Sequence, residues 1–216
     1  MGYCPIQRHS KHANLLIRCT DIHFVIEEEA MYDARPIILL AYLFAFFLFP
    51  LHALAGVNCS TLPHWATLGN GLQMSQKHVF CGEWTNSRPK GFHSRPGGVN
   101  PATVRNFTVQ DSPNSAGIYT GRWSHTNNPD RSKFSSMFPD SCSTEQVLNS
   151  ISYASAHPDR SCPEGSPGWV KCGKNRPTHV TKEELSGYCS NNEEFFLIGF
   201  AAPGNNKINT AFPIRQ

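Results

Sequence analysis

The chain has no Cys-x2-Cys pair and no His-x3-His pair, so the close ligand spacing of a tetrahedral zinc site is missing. It has no G-x-x-x-x-G-K-[ST] segment to cradle a phosphate, no internal repeat and no low-complexity run, which removes nucleotide-loop enzymes, solenoids and disordered linkers from consideration. Charge is also sparse: 16% of the 216 residues are Asp, Glu, Lys or Arg, and the formal net charge is only +3. A balance this mild permits a polyanionic partner without demanding one.

What is present begins with one apolar block, "PIILLAYLFAFFLFPLHALA", over residues 36–55. Arg35 precedes it, Ala53-Leu54-Ala55 closes it in a small-x-small cleavage pattern before Gly56, and no basic stop-transfer cluster follows. The block is long enough to span a bilayer, but Pro50, His52 and the cleavage pattern favour a signal peptide that is removed. With Met31 just upstream, residues 31–55 read as the signal peptide and residues 1–30 as a non-native extension. The expected product is a secreted or periplasmic protein with no stable membrane association.

The remainder, residues 56–216, is enough chain for one domain with a real core. It holds fifteen Lys and Arg against eleven Asp and Glu, and six of the eight cysteines: Cys59, Cys81, Cys142, Cys162, Cys172 and Cys189. An even number in an exported domain implies three disulfides among fifteen connectivities. Cys162 and Cys172 bracket "PEGSPGWVK", a turn-rich segment that a bridge could staple. A nucleophilic Cys81 paired with His93 is the reactive alternative.

Strand and loop outweigh helix, giving an α+β expectation. The clearest helix is "STEQVLNSISYASAHP": Ser143 and Gln146 fit a capping box, Val147, Leu148, Ile151 and Ala154 make one apolar face, and Pro158 follows its end. Strands are expected in "KHVFCGEW", "TVRNFTVQD", "AGIYTGRW", "EFFLIGFAAP" and "KINTAFPI", with "PGNN" as a hairpin turn between the last two.

The stretch "KHVFCGEWTNSRPKGFHS" places His78 and His93 in a segment rich in Gly, Pro and basic residues. Histidine gives or takes a proton near neutral pH, so such a pair invites acid/base chemistry. Arg88, Lys90 and Arg95 cluster around the second histidine, either to contact phosphates or as a merely solvated basic loop. Glu83 is read as orienting a loop or hydrogen-bonding His78 rather than transferring a proton. His125 and His179 lack a motif context.

Taken in order, "KHVFCGEW", "KGFHS", "SKFSSMFPDSCSTEQVLNSIS" and "KINTAFPI" resemble the EndoU ribonuclease superfamily, especially its bacterial secreted and polymorphic-toxin members. The resemblance runs from about His78 to Ile214. It implies an α+β domain with antiparallel sheets flanking a cleft, in which His78, His93 and Lys133 are catalytic and Thr210 and Phe212 bind substrate. The chain departs from the family pattern at Phe212, where many members have tyrosine, and in its six cysteines. The implied activity is endonucleolytic cleavage of RNA by its own 2′-hydroxyl, with no metal and no cofactor: two histidines serve as base and acid, and a lysine stabilises phosphorane-like charge. The toxin branch further implies a cognate immunity protein, and a monomer is expected. The rival expectation is a disulfide-stapled exported binding module that keeps the fold without activity.

Overall fold

The computed structural model describes residues 56–159 and 161–216. The expected N-terminal extension and signal peptide therefore lie outside the described residues. Within them the chain order is β1 (Trp65–Thr67), β2 (Gln73–Ser75), α1 (Gln76–Phe80), β3 (Glu83–Thr85), β4 (Arg88–Lys90), a 3-10 turn (Pro96–Gly98), β5 (Val104–Asp111), β6 (Tyr119–His125), β7 (Asn128–Met137), α2 (Thr144–Ala156), β8 (Val170–Lys174), α3 (Lys182–Leu185), β9 (Leu197–Ala201), β10 (Lys207–Ile208) and β11 (Ala211–Ile214). The fold is α+β, with the strands in four small sheets: β1-β2-β10, β11-β9-β8, β3-β4 and β5-β6-β7. Pairing is antiparallel except between β10 and β2, which run parallel.

Helix α2 forms where local chemistry demands it. The Ser143 side chain accepts from the Gln146 N–H and the Gln146 side chain accepts from the Ser143 N–H, so two otherwise orphaned donors are satisfied. Its Val147, Ile151 and Ala154 are fully buried, and the end of the helix packs directly on β8: a Cβ on Gly173 would lie 2.3 Å from the Ala154 carbonyl oxygen. This face joins Phe80, Phe138, Ile198 and Phe200 in the larger hydrophobic core. A smaller core of Phe92, Val104, Tyr119, Trp123 and Met137 lies against the β5-β6-β7 sheet. Each such fully buried side chain contributes roughly 1.5–3 kcal/mol.

The six cysteines pair as Cys59–Cys81, Cys142–Cys189 and Cys162–Cys172. The last is the pairing expected from spacing. With Cys81 bonded to Cys59, the alternative of a nucleophilic Cys81 beside His93 is overturned. Three disulfides fit an extracellular or periplasmic protein. Among the described residues no helix is long and apolar enough to cross a membrane.

Two local expectations also change. "KHVFCGEW" is not one strand: Lys77 to Phe80 belong to α1, and only Glu83 onward is extended. Val79, Phe80 and Cys81 are all buried in succession, which a two-sided strand alternation does not require but a short packed helix end does. "KINTAFPI" splits into β10 and β11, because Ile208 pairs with Met74 in one sheet while Ala211 pairs with Phe200 in another. "PGNN" does close the expected hairpin: Gly204 and Lys207 exchange both backbone hydrogen bonds at 3.0 Å around Asn205 and Asn206, both at positive φ, and the chain returns antiparallel to β9 as β11.

Candidate active site

A cleft of about 990 Å³ opens where these small sheets meet, and His78, His93, Lys133, Thr210 and Phe212 all line it. They reach it from four separate segments, Thr210 and Phe212 sharing the one that leads into β11. His78 is carried by α1, whose roll is fixed by the buried Val79 and Phe80. His93 is in the loop after β4, not on a strand, and that loop is pinned from two sides. The Phe92 N–H donates to the His78 carbonyl at 2.7 Å and the His93 N–H to the Val79 carbonyl at 2.7 Å, while the His93 carbonyl accepts from the Phe138 N–H at 2.8 Å. The approach needs Gly91: it adopts φ +72°, and a Cβ there would lie 2.1 Å from the His78 carbonyl oxygen. The "KGFHS" glycine is thus a condition for bringing the two histidines together.

The imidazoles lie roughly parallel, with ring centroids 6.1 Å apart. Their second nitrogens have different partners. His78 Nδ1–H donates to Glu83 Oε2 at 2.8 Å, and this bond, against a partial burial cost, holds the Glu83 carboxyl below its ordinary range. Glu83 is therefore an ionised partner that orients His78. His93 Nδ1–H donates to the Ser136 carbonyl at 3.0 Å, which leaves its Nε2 with a free lone pair. Burial, then the Lys133 and His78 charges, push the His93 pKa well below 6.5 despite that backbone bond. His93 is thus kept neutral.

Lys133 stands on β7. Its Nζ donates to the Phe134 carbonyl at 2.9 Å and to Ser135 Oγ at 2.8 Å, and burial brings its pKa down to about 8. Two donors are thereby fixed by the protein and a third remains for the cleft. Ser135 Oγ also accepts from Trp123 Nε1 at 3.1 Å and donates to the Gly91 carbonyl at 3.0 Å, tying the lysine to the turn that sets His93. Phe212, on β11, tilts 34° against His93 with centroids 5.5 Å apart. Thr210 is anchored through its carbonyl, which accepts from the Ala201 N–H at 3.1 Å.

Of the basic residues around the second histidine, Arg88 and Lys90 line the cleft and Arg95 does not. Arg95 instead pairs with Asp140 at 2.9 Å, donates to the Tyr119 hydroxyl and covers the Phe107 ring at 4.5 Å, so it is a structural clip rather than a phosphate contact. The cleft also contains residues that the sequence did not single out: His64, whose Nδ1 lies 3.9 Å from Glu83, Phe134, and Trp169. Trp169 carried a signal, an aromatic in the otherwise small and turn-forming "PEGSPGWVK". Nothing local marked His64.

A family model described as bacterial EndoU nuclease matches residues 72–215, which include every residue placed in the cleft except His64. The chain belongs to that family. No curated protein and no solved structure matches it. As an EndoU nuclease it carries three disulfides, two of which cross-link the larger core through the buried Cys81, Cys142 and Cys189. Among the described residues, no group of three or more His, Cys, Asp or Glu side chains is arranged to hold a metal ion.

Proposed function

We propose that this EndoU nuclease is an exported endoribonuclease that cleaves RNA by internal transphosphorylation. The observation that carries the reading is the unequal pair of imidazoles facing one cleft beside an ammonium: His93 neutral with a free Nε2, His78 backed by an ionised carboxylate. His93 Nε2 takes the proton of the ribose 2′-hydroxyl as its oxygen bonds to phosphorus. His78 gives its Nε2 proton to the departing 5′-oxygen as the P–O5′ bond breaks, with Glu83 compensating the imidazolium before transfer. Lys133 faces the charge that builds on the phosphoryl oxygens. The nucleophile belongs to the substrate, so fixing the phosphate between the two rings supplies much of the advantage. The products are a 2′,3′-cyclic phosphate and a 5′-hydroxyl, and no metal or cofactor takes part. Thr210 and Phe212 bind the substrate, Phe212 offering a stacking face without the hydroxyl of a tyrosine.

Such an enzyme, released into or toward another cell as a monomeric toxin or effector, requires a cognate immunity protein in its producer. The test is incubation of the oxidised protein with labelled single-stranded RNA, with and without EDTA, followed by end-group analysis. Cleavage to cyclic-phosphate ends, unaffected by EDTA and abolished by a 2′-deoxy residue at the scissile nucleotide, is expected. Tight RNA binding without cleavage would instead establish the inactive binding module.

A further inference from the structure

Trp169 is 55% exposed, the most exposed large apolar side chain among the described residues, whereas Trp123 is fully buried. It is also one of the cleft-lining residues. The indole packs edge-on against Phe212 with centroids 6.3 Å apart, and Phe212 in turn lies 5.5 Å from His93, so two rings lead outward from the imidazole. The loop that presents it is held at both ends. Cys162 is bonded to Cys172, Val170 N–H donates to the Pro167 carbonyl at 2.9 Å, and Val170 already belongs to β8. Gly168 and Trp169 are thereby placed at the corner of a turn.

On the far side of Phe212 a shallower groove of about 370 Å³ shares Phe134, Ser136, Pro167 and Phe212 with the main cleft. That groove sets the carboxylates of Asp111 and Glu164 against one cation, Arg215, whereas the main cleft sets Arg88, Lys90 and Lys133 against the Glu83 carboxylate alone. The backbone of a bound strand is therefore favoured on the Arg88 and Lys90 side, and the loop side accepts a base.

We infer that the disulfide-closed loop of Cys162–Cys172 is a second base-binding subsite, in which Trp169 stacks on the base of a nucleotide flanking the scissile phosphate. It rests on the reading of the substrate as RNA. Stacking on an aromatic ring is tolerant of base identity because every base has a π-face, so the subsite adds affinity with little sequence preference. Fixing the indole in advance reduces the ordering cost of binding.

The test combines variants of the protein with a change in the substrate. Trp169→Ala should raise KM for a single-stranded RNA oligonucleotide roughly 5- to 100-fold with kcat little changed, and Trp169→Phe should recover most of the loss. An abasic residue at one of the two nucleotides flanking the cleavage site should raise KM for the wild type by a similar factor and leave that of Trp169→Ala unchanged. A 2′-O-methyl oligonucleotide, bound but not cleaved, should quench a component of tryptophan fluorescence that is absent from Trp169→Phe. Unchanged KM in Trp169→Ala, or abasic and Ala effects that simply multiply at both flanks, overturns the subsite. If the wild type cleaves no RNA, the reaction proposed above is wrong, and the fluorescence arm alone decides the stacking: quenching equal in wild type and Trp169→Phe overturns it.

Discussion

The larger core, around α2 and the β11-β9-β8 sheet, includes Cys81, Cys142 and Cys189 among its buried members and is cross-linked by two disulfides. The smaller core beneath β5-β6-β7 contains no cysteine. It is held by edge-to-face rings, Phe92 on Trp123 at 5.3 Å and Phe92 on Phe107 at 5.8 Å, and by the Arg95 clip to Asp140 and Tyr119. The stapled region delivers His78 and Phe212 to the cleft; the aromatic region delivers Lys133. His93 lies on the seam, bonded through its backbone N–H to Val79 and through its ring to Ser136. Covalent staples thus fix one wall, packing and hydrogen bonds fix the other, and the reacting geometry depends on both.

The largest effect comes from breaking that seam chemically. His78→Ala and His93→Ala should each lower RNA cleavage roughly 10²- to 10⁴-fold, and the double variant should be little worse than the poorer single one, because base and acid act in one step. Single-turnover rates with a filter-binding control separate chemistry from affinity, which should mostly survive. Full activity in either single variant ends the mechanism.

Stability should differ next between the staples themselves. Cys142–Cys189 spans 47 residues of sequence and Cys162–Cys172 spans 10. On chain-entropy grounds, replacing both cysteines with alanine costs roughly 4 kcal/mol for the long bridge and roughly 3 kcal/mol for the short one. The short bridge ties only the loop of Trp169, so its loss should leave both hydrophobic cores folded. Urea denaturation of the two double variants measures the order, and a larger loss for Cys162–Cys172 would contradict it.

The parts of this arrangement that were legible in the sequence are those fixed locally. Helix α2 could be read because its capping box and apolar face are all within one segment, and β5, β6 and β9 because their β-branched and aromatic residues stand between turn formers. β7 was not legible: "NPDRSKFSSM" is mostly polar, and the inward hydroxyl of Ser135 is satisfied only by Trp123, Lys133 and Gly91. The short helix at His78 and the parallel β10 are set by non-local partners, Val79 bonding the His93 loop and Gln73 and Met74 pairing with β10. The candidate site was visible through its motifs, since His78, His93, Lys133, Thr210 and Phe212 stand in recognisable local contexts. His64 had no local mark, since tertiary structure alone brings it to the cleft, whereas Trp169 stood out as an aromatic in a turn-forming segment whose place beside Phe212 only the fold shows.

A smaller effect isolates the unstapled wall. Ser135→Ala leaves the Trp123 N–H and the Gly91 carbonyl without their partner in the interior, at a cost of about 1–3 kcal/mol. It also frees one of the two bonds that fix Lys133, so activity should fall as well, by less than for Lys133→Ala. Adding Trp123→Phe should cost less stability in the Ser135→Ala background than in the wild type, because the donor it removes is already unpaired. If Ser135→Ala is neutral in thermal denaturation, the hydroxyl does not hold this wall.

The finest distinction between the two walls is in their response to pH. On the seam, His93 must be neutral to act as base, and burial with two cationic neighbours opposes its protonation, so the acid limb of kcat/KM should fall well below pH 6.5. On the aromatic wall, Lys133 is charged below its pKa of about 8 and neutral above it, so an alkaline limb is expected no higher than about 8. Between those limits the rate should be flat, changing about tenfold per pH unit outside them. Lys133→Arg keeps the charge at every accessible pH and should lower the plateau, because a planar guanidinium is placed differently from an ammonium, while removing the lysine's part of the alkaline limb. The same depressed His93 has a stability consequence of defined sign. Its folded pKa lies below the unfolded value, so the unfolded chain binds the proton more readily, and stability present above about pH 6.5 is lost as the pH falls toward the folded value. His93→Gln should flatten that acid loss in chemical denaturation measured across pH. An acid limb at 6.5 or above would mean that His93 is not held neutral by its surroundings, and an alkaline limb unmoved in Lys133→Arg would assign it to another group in the coupled set.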